Sequence, residues 1–378
     1  MPPGNLTDWL ALNLLTGLGP ILVRRALVRF HDPGEIAYRV PVRALQEIDR
    51  IGEGIASSIE KARTRLRDRA EAELRSCETL GIQVITFQDP GFPSALQTLA
   101  DPPVLLYVKG DLPEGVVRIA VVGSRRATAY GRRVAAGLGA ALVARGVEIV
   151  SGGARGIDTY AHTGALEAGG RTIAVLGSGL RRPYPTDNAS LFERVAEHGA
   201  VLSEFPLDAD PLPERFPRRN RLISGLSAGV VVVEAATKSG SLSTAAHALD
   251  QNREVLAVPG PITSDLSAGC HRLIQAGAKL VHDSTDILTE LSPMYQDALT
   301  GSVAVPPGSA PDLRGLSADE AATLALLDDP EPVQLETLAD AAPFGIGRLQ
   351  TALFGLQCRG VVEQLPGGFY LVTKGKAG

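Results

Sequence analysis

Cysteine is scarce in this 378-residue chain, with only Cys77, Cys270 and Cys358. They lie far apart, without metal-ligand spacing or the even count of a disulfide framework, so neither structural zinc nor a stapled secreted fold is expected. No apolar stretch approaches the roughly 18 residues that cross a bilayer. Met1-Pro2-Pro3-Gly4-Asn5 lacks the basic-then-apolar order of a secretory leader. We therefore expect a cytoplasmic protein with no membrane partner. Gly-x-x-x-x-Gly-Lys-Ser/Thr occurs nowhere, which argues against NTP hydrolysis. An excess of positive charge is missing as well: the net charge is −5, which taken alone speaks against nucleic acid.

What is present is an ordinary globular composition, 44% hydrophobic and 21% charged, on a chain long enough for two or three domains. Charge is unevenly spread: net −1 over 1–112, +1 over 113–290 and −5 over 291–378. In the middle section the arginines gather at turns. A focused positive cleft needs only that local arrangement.

Between Val121 and Gly277 one device recurs four times: a β-branched run, a small polar turn, then a helical pattern. The turns are Gly123-Ser124-Arg125-Arg126, Ser151-Gly152-Gly153-Ala154-Arg155-Gly156, Arg218-Arg219-Asn220-Arg221 and Lys238-Ser239-Gly240-Ser241. Small residues expose backbone amides at helix starts and guanidiniums add planar donor forks, so each turn suits phosphate oxygens. An open parallel sheet gathers such turns outside its carboxyl ends. Four on one rim point to a polyanion.

The wider pattern divides the chain. Residues 1–78 read as helical, with Gly17-Leu18-Gly19 and Ile51-Gly52-Glu53-Gly54-Ile55 opening apolar-periodic segments. These turns resemble helix-hairpin-helix (SAM-like) elements, though a small bundle with glycine at its turns is the favoured reading over DNA contact. Residues 79–291 form an α/β domain. Its strands are expected at Arg118–Val122, Val147–Val150, Thr172–Leu176, Ala200–Ser203, Gly229–Val233, Glu254–Val258 and Lys279–His282. Ile82–Phe87 and Val104–Val108 should extend the same sheet. Alternation with helical patterns predicts a doubly wound, mainly parallel, extended Rossmann-like sheet. Residues 292–315 read as a linker. Residues 316–374 show three helical patterns and two strands around Pro366-Gly367-Gly368, a winged helix. From Ser317 to Thr373 its net charge is −6, so protein contact or packing is favoured there over duplex DNA.

Each motif has a second reading. Gly123-Ser124-Arg125-Arg126 lacks the Gly-x-Gly-x-x-Gly of a dinucleotide site, and the phosphate-holding reading is preferred to a plain turn. Arg155 is assigned to the nucleic acid. Asp158, in the first turn of the next helix, is expected to cap it or to pair with Arg155. His162 is expected to be a satisfied buried histidine. Arg215, Phe216, Arg218, Arg219, Asn220 and Arg221 interleave an aromatic with phosphate forks, as single-strand binding requires. Lys238-Ser239-Gly240-Ser241 resembles, by position, the catalytic loop of nucleotide phosphoribohydrolases, but Ala246 stands where their glutamate would. That moves the reading from enzyme to binder, with a nucleotide-processing enzyme as the alternative.

The ordered series Gly123–Gly131, Ser151–His162, Gly170–Gly177, Tyr184-Pro185-x-x-Asn188, Ser203-Glu204, Phe216–Arg221, Val233-Glu234-Ala235, Lys238–Ala245 and Val258-Pro259-Gly260 closely resembles the DNA-processing protein A (DprA, or Smf) family. The match is dense over about 80–290, and an ordered set of long motifs is far more specific than one glycine-rich loop. The resemblance implies a non-enzymatic single-stranded DNA-binding protein of natural transformation. Such a protein shields incoming strands, loads a RecA-type recombinase on them, uses no cofactor, and is a homodimer through the Rossmann-like domain. Two departures stand out. Arg181-Arg182 replaces an expected Asp, and Cys270-His271 replaces a polar pair.

Overall fold

Asn5 opens the first helix, its side chain accepting the Thr7 amide at 3.2 Å. The N-terminal helices are α1 (Leu6–Leu14), α2 (Pro20–Phe30), α3 (Val42–Gln46), α4 (Glu53–Arg63) and α5 (Leu66–Thr79). Both Gly-x-Gly turns end on a glycine or enclose one at a helix N-cap: Gly19 for α2 and Gly52 for α4. Trp9, Leu12, Ile36, Leu45, Ile59 and Leu66 are fully buried, and they share one core with Leu105, Tyr107 and Leu207 of the following α/β region. The computed structural model describes residues 5–292, 295, 296, 299, 317–327, 333–358, 361–365 and 369–372. Contacts divide the chain into Met1–Val303 and Ala304–Gly378.

In the first unit the strands are β1 (Gln83–Thr86), β2 (Leu105–Gly110), β3 (Arg118–Val122), β4 (Glu148–Ser151), β5 (Thr172–Val175), β6 (Ala200–Ser203), β7 (Gly229–Val232), β8 (Glu254–Ala257) and β9 (Lys279–Leu280). Between them run α6 (Ser94–Gln97), α7 (Ala129–Val143), α8 (Ile157–Glu167), α9 (Ala189–His198), α10 (Arg215–Gly225), α11 (Ser241–Asp250) and α12 (Ala268–Gln275), with α13 (Ser284–Glu290) after β9. The nine strands lie in the order β1-β2-β6-β5-β4-β3-β7-β8-β9. From β6 to β9 of that order every pairing is parallel, while β1 and β2 join antiparallel. The α/β fold is therefore doubly wound, and the extension by Ile82–Phe87 and Val104–Val108 is as expected.

Alternate residues of β3 feed opposite cores. Ile119 and Val121 pack on one face, Ala120 and Val122 on the other. Helices cover both faces, which is why β7 is apolar throughout and wholly buried. The winding changes direction between β3 and β7: the chain leaves β3 toward β4, β5 and β6, then returns to β7 and proceeds to β8 and β9. Ligand crevices form at that kind of reversal.

The second unit has α14 (Ala318–Ala325), β10 (Val333–Gln334), α15 (Leu335–Ala341), α16 (Ile346–Cys358), β11 (Val362–Leu365) and β12 (Phe369–Val372). A Ser317–Glu320 capping box starts α14. Leu327, Leu338, Leu349, Leu353, Leu356 and Tyr370 form its core, and the sheet order is β10-β12-β11. This is the winged helix that the sequence predicts. Residues 293, 294, 297, 298 and 300–315 of the expected linker and the Pro366-Gly367-Gly368 turn lie outside the described residues. Among the described residues no helix is long and apolar enough to cross a membrane.

Candidate nucleic-acid interface

The winding reversal is closed by a backbone clasp. Beyond β3, the Ser124 amide donates to the Glu234 carbonyl just past β7, at 2.7 Å. Gly123 has no alternative at this crossing, since a Cβ would stand 2.7 Å from Ile157 Cγ1 and 2.9 Å from the Glu234 carbonyl. Ser124 then accepts the Arg126 amide at 3.1 Å, setting the turn that carries both arginines. The start of α7 is already occupied by the protein's own anion. Glu234 accepts the Thr128 amide at 2.9 Å and its hydroxyl at 2.5 Å. Gly131 leaves the space for that carboxylate. Glu234 thus neutralises the positive end of α7, and this turn offers guanidiniums rather than helix amides.

The second turn is likewise braced from within. Asp158, 5% exposed, accepts the Gly152 amide at 3.2 Å and the Ala154 amide at 3.3 Å. Burial raises its carboxyl pKa, opposed by the neighbouring Arg219 charge. The sequence expects Asp158 to cap α8 or to pair with Arg155; the amides it accepts belong to the preceding turn, and Arg155 is not its partner. Arg155 instead reaches Asp187 at 2.7 Å on the surface, because Gly156, at φ +80°, turns the chain between it and α8. His162 is fully buried, its Nδ1 2.7 Å from the Thr172 hydroxyl, and desolvation with the Arg219 charge pushes its pKa down to about 3. The ring is neutral near physiological pH. It is satisfied on one side only, for Nε2 has no partner among the described residues.

The arginines of α10 divide sharply. Arg219, 4% exposed, donates to the carbonyls of Gly152 (2.7 Å) and Val175 and to Asn220 Oδ1 (3.1 Å). Desolvation lowers its pKa to about 10. Arg221 is 3% exposed, with Nη2 2.6 Å from Glu204 Oε2 and Nε 3.0 Å from Asp101. Arg218 also reaches Glu204, at 3.1 Å, and Arg215 donates to the Asp210 carbonyl at 2.6 Å. Asn220 spans to the fourth turn, its Nδ2 2.8 Å from Ser243 Oγ and 3.3 Å from the Gly240 carbonyl. In that turn Ser239 and Ser241 share a hydroxyl bond of 2.7 Å, and α11 begins at Gly240 without a side-chain cap.

A crevice of about 940 Å³ opens at the β3–β7 reversal. It brings together Gly123, Ser124, Arg125 and Arg126 of the first turn, and Lys238, Ser239, Gly240 and Ser241 of the fourth. Phe216, Arg219 and Asn220 complete its lining from α10, with Arg219 in the floor. Arg155, Arg215, Arg218 and Arg221 do not line it. Arg221 in particular faces interior carboxylates, so its place is structural. Arg125, Arg126 and Lys238 have no carboxylate within ion-pair distance among the described residues. The Arg125 guanidinium lies 5.2 Å from the Phe216 ring centroid. Tyr184, which the sequence reading treats only as part of a motif, stands 5.8 Å from the same ring and is 39% exposed. Its preceding Leu-Arg-Arg segment carries no period that would place it there. Of the two departures, Arg181 and Arg182 pair with Asp208 (3.2 Å) and Asp210 (2.6 Å), and His271 holds the Gly260 carbonyl at 3.0 Å. Among the described residues no cluster of His, Cys, Asp or Glu is placed to hold a metal.

Residues 83–292 match the family model for DNA recombination-mediator protein A, and residues 306–368 match the DprA winged helix domain. Protein Smf of Escherichia coli (strain K12) is 41% identical over 307 residues, 80% of this chain and 81% of that protein. The X-ray structure of DNA processing protein A from Streptococcus pneumoniae is 34% identical, with a TM-score of 0.66 over 77% of this chain and 99% of that one. DNA processing protein A from Helicobacter pylori, solved for its single-stranded DNA binding mode, is 32% identical with a TM-score of 0.50 over 56% of this chain and 98% of that one.

Proposed function

Because this chain belongs to the DNA recombination-mediator protein A family, we propose that it binds single-stranded DNA in the β3–β7 crevice without processing it chemically. The observation that carries this reading is the trio Arg125, Arg126 and Lys238, cations engaged in no ion pair among the described residues, around a crevice with Phe216 and Tyr184 on its wall. Unpaired cations release counterions when they meet phosphate, and aromatic faces stack exposed bases of any sequence. The role is that of natural transformation: a cytoplasmic homodimer, joined through its Rossmann-like region, covers an incoming strand and hands it to a RecA-type recombinase. We keep the division into 1–78, 79–291 and 316–374, joined by 292–315, as part of this proposal.

The enzyme alternative finds little support. The two acids beside the crevice turns that could serve such a reaction, Asp158 and Glu234, both accept backbone amides and brace turns, and Ala246 stands where the glutamate of the phosphoribohydrolase loop would. A gel-shift series with single- and double-stranded oligomers at two salt concentrations tests the proposal. The expected result is tighter single-strand binding whose log affinity falls linearly with log salt. Salt-insensitive binding, or release of free base from nucleoside monophosphates, would overturn it.

A further inference from the structure

A second crevice, of about 870 Å³, opens on the other side of the first turn of α10. Residues of that turn alternate between the two cavities. Phe216, Pro217 and Arg219 line the first, Arg215 and Arg218 the second. A single helix, about 10 Å across, separates them. The far wall of the second crevice is the N-terminal layer: the Gly17-Leu18-Gly19-Pro20 turn at the start of α2, with Arg69 and Glu73 of α5.

Its polar groups are incomplete in a way that suits a nucleotide. α2 opens on Pro20, which has no N–H, and with Gly19 at the N-cap the amides of Ile21 and Leu22 have no side-chain acceptor. Arg69 is exposed and has no carboxylate partner among the described residues. The guanidiniums of Arg215 and Arg218 each lie 5.2 Å from the Phe205 ring, presenting planar faces. Glu204, 3% exposed, receives Arg218 and Arg221 on Oε2, while its buried Oε1 has no hydrogen-bond partner among the described residues. A buried acceptor left without a donor is costly. The exocyclic amine of cytosine or adenine is a donor that a carboxylate accepts. Of the other acids in the lining, Asp208 pairs with Arg181 at 3.2 Å and Glu73 accepts the Leu207 amide at 2.8 Å, while Glu214, beside Arg215, has no ion pair among the described residues.

We propose that the second crevice continues the strand path. DNA seated in the first crevice crosses the start of α10, sets a base amine on Glu204, and places the adjoining phosphate between the α2 N-terminus and Arg69. This rests on the reading that the first crevice holds single-stranded DNA.

Gly19 supplies the decisive variant. Its φ is −71° and no atom lies within 4 Å of an added Cβ, so Gly19→Asp fits. Aspartate is a favoured N-cap, so this change preserves α2 while closing the anion site with a carboxylate. Full-length protein is titrated by fluorescence anisotropy with oligo-dC of about 6 and about 20 nucleotides, bracketing the usual site sizes. Gly19→Asp and Arg69→Ala are expected to weaken the longer oligomer about fivefold to tenfold and leave the shorter within about twofold. Arg125→Ala is expected to weaken both. Oligo-dT of the longer length, which has no exocyclic amine, is expected to bind about threefold more weakly than oligo-dC. Unchanged affinity of Gly19→Asp and Arg69→Ala for the longer oligomer overturns the extended path. Equal binding of dC and dT overturns the Glu204 contact. Arg125→Ala that binds both lengths as the unmodified protein does would instead overturn the reading of the first crevice.

Discussion

The arginines inside α10 and the cations on the strand-end turns share a charge and meet opposite surroundings. Arg221, with a side chain 4% exposed, is held against Glu204 at 2.6 Å and Asp101 at 3.0 Å. Arg219 is held by the carbonyls of Gly152 and Val175. Arg125, Arg126 and Lys238 have no such partners among the described residues. A buried guanidinium is fixed because leaving it or its carboxylate unpaired in low dielectric is expensive. An exposed one keeps its hydration and its counterion until phosphate displaces them. Motif membership alone does not distinguish the two; burial does.

The largest effect that could break this comparison is Arg221→Ala. It leaves the Glu204 carboxylate, itself 3% exposed, with Arg218 as its one remaining cation and Asp101 with none among the described residues, so urea unfolding should show a loss of about 3–5 kcal/mol. At a temperature where the variant is still folded, oligonucleotide affinity should stay within about threefold of the unmodified protein. Normal stability with lost binding would place Arg221 on the DNA after all.

A smaller effect sharpens the interior side. In the unfolded chain His162 titrates near 6.5, and in the folded chain it is pushed down to about 3. Between those values the unfolded state binds more protons. Its neutral form therefore costs nothing above pH 6.5, and stability falls as pH drops below it by about 1.4 kcal/mol per unit. Compared with His162→Gln, the unmodified protein should lose about 2 kcal/mol more on going from pH 6.5 to 5, measured by urea midpoints. Parallel pH profiles would show that the ring is protonated in the fold.

On the rim side, Arg125→Ala and Lys238→Ala should each weaken single-strand binding about tenfold at low salt. Each should reduce the log–log salt slope by about 0.7, one phosphate contact on a single strand. Unfolding free energy should stay within about 0.5 kcal/mol, because neither side chain has an ion pair to abandon. A variant that loses stability along with affinity would erase the distinction between the two groups.

Much of the fold was legible because burial on both faces demands a local composition. Val230-Val231-Val232 reads as a central strand whatever surrounds it, and β7 covers Gly229–Val232. The turns after β3 and before α11 were legible for a related reason, since glycine and serine permit a close crossing there. The partners of Arg221 were not. Asp101 and Glu204 are remote in sequence, and no periodicity links them to α10. The true neighbour of Asp158 was hidden in the same way: Arg155 is nearer in sequence, yet Arg219 is the charge beside it. Tyr184 reaches Phe216 only through the fold. Sequence spacing reports elements and turns, while the state of an ion pair is decided by tertiary neighbours.

The smallest expected effect concerns the winged-helix unit, where the same comparison applies in miniature. From Ser317 to Thr373 the net charge is −6, with Arg348 and Arg359 as the only basic residues. Arg348 is bound by both oxygens of Asp319, at 2.8 and 2.5 Å. Duplex or single-stranded phosphate needs several unpaired cations to release counterions, and an acidic unit whose helix-borne arginine is already engaged cannot supply them. Deleting residues 304–378, at the boundary between the two units, should therefore leave single-strand affinity within about twofold and the salt slope unchanged. Loss of binding on that deletion would move the interface off the β3–β7 rim, and Arg125 and Lys238 would have to be reassigned with it.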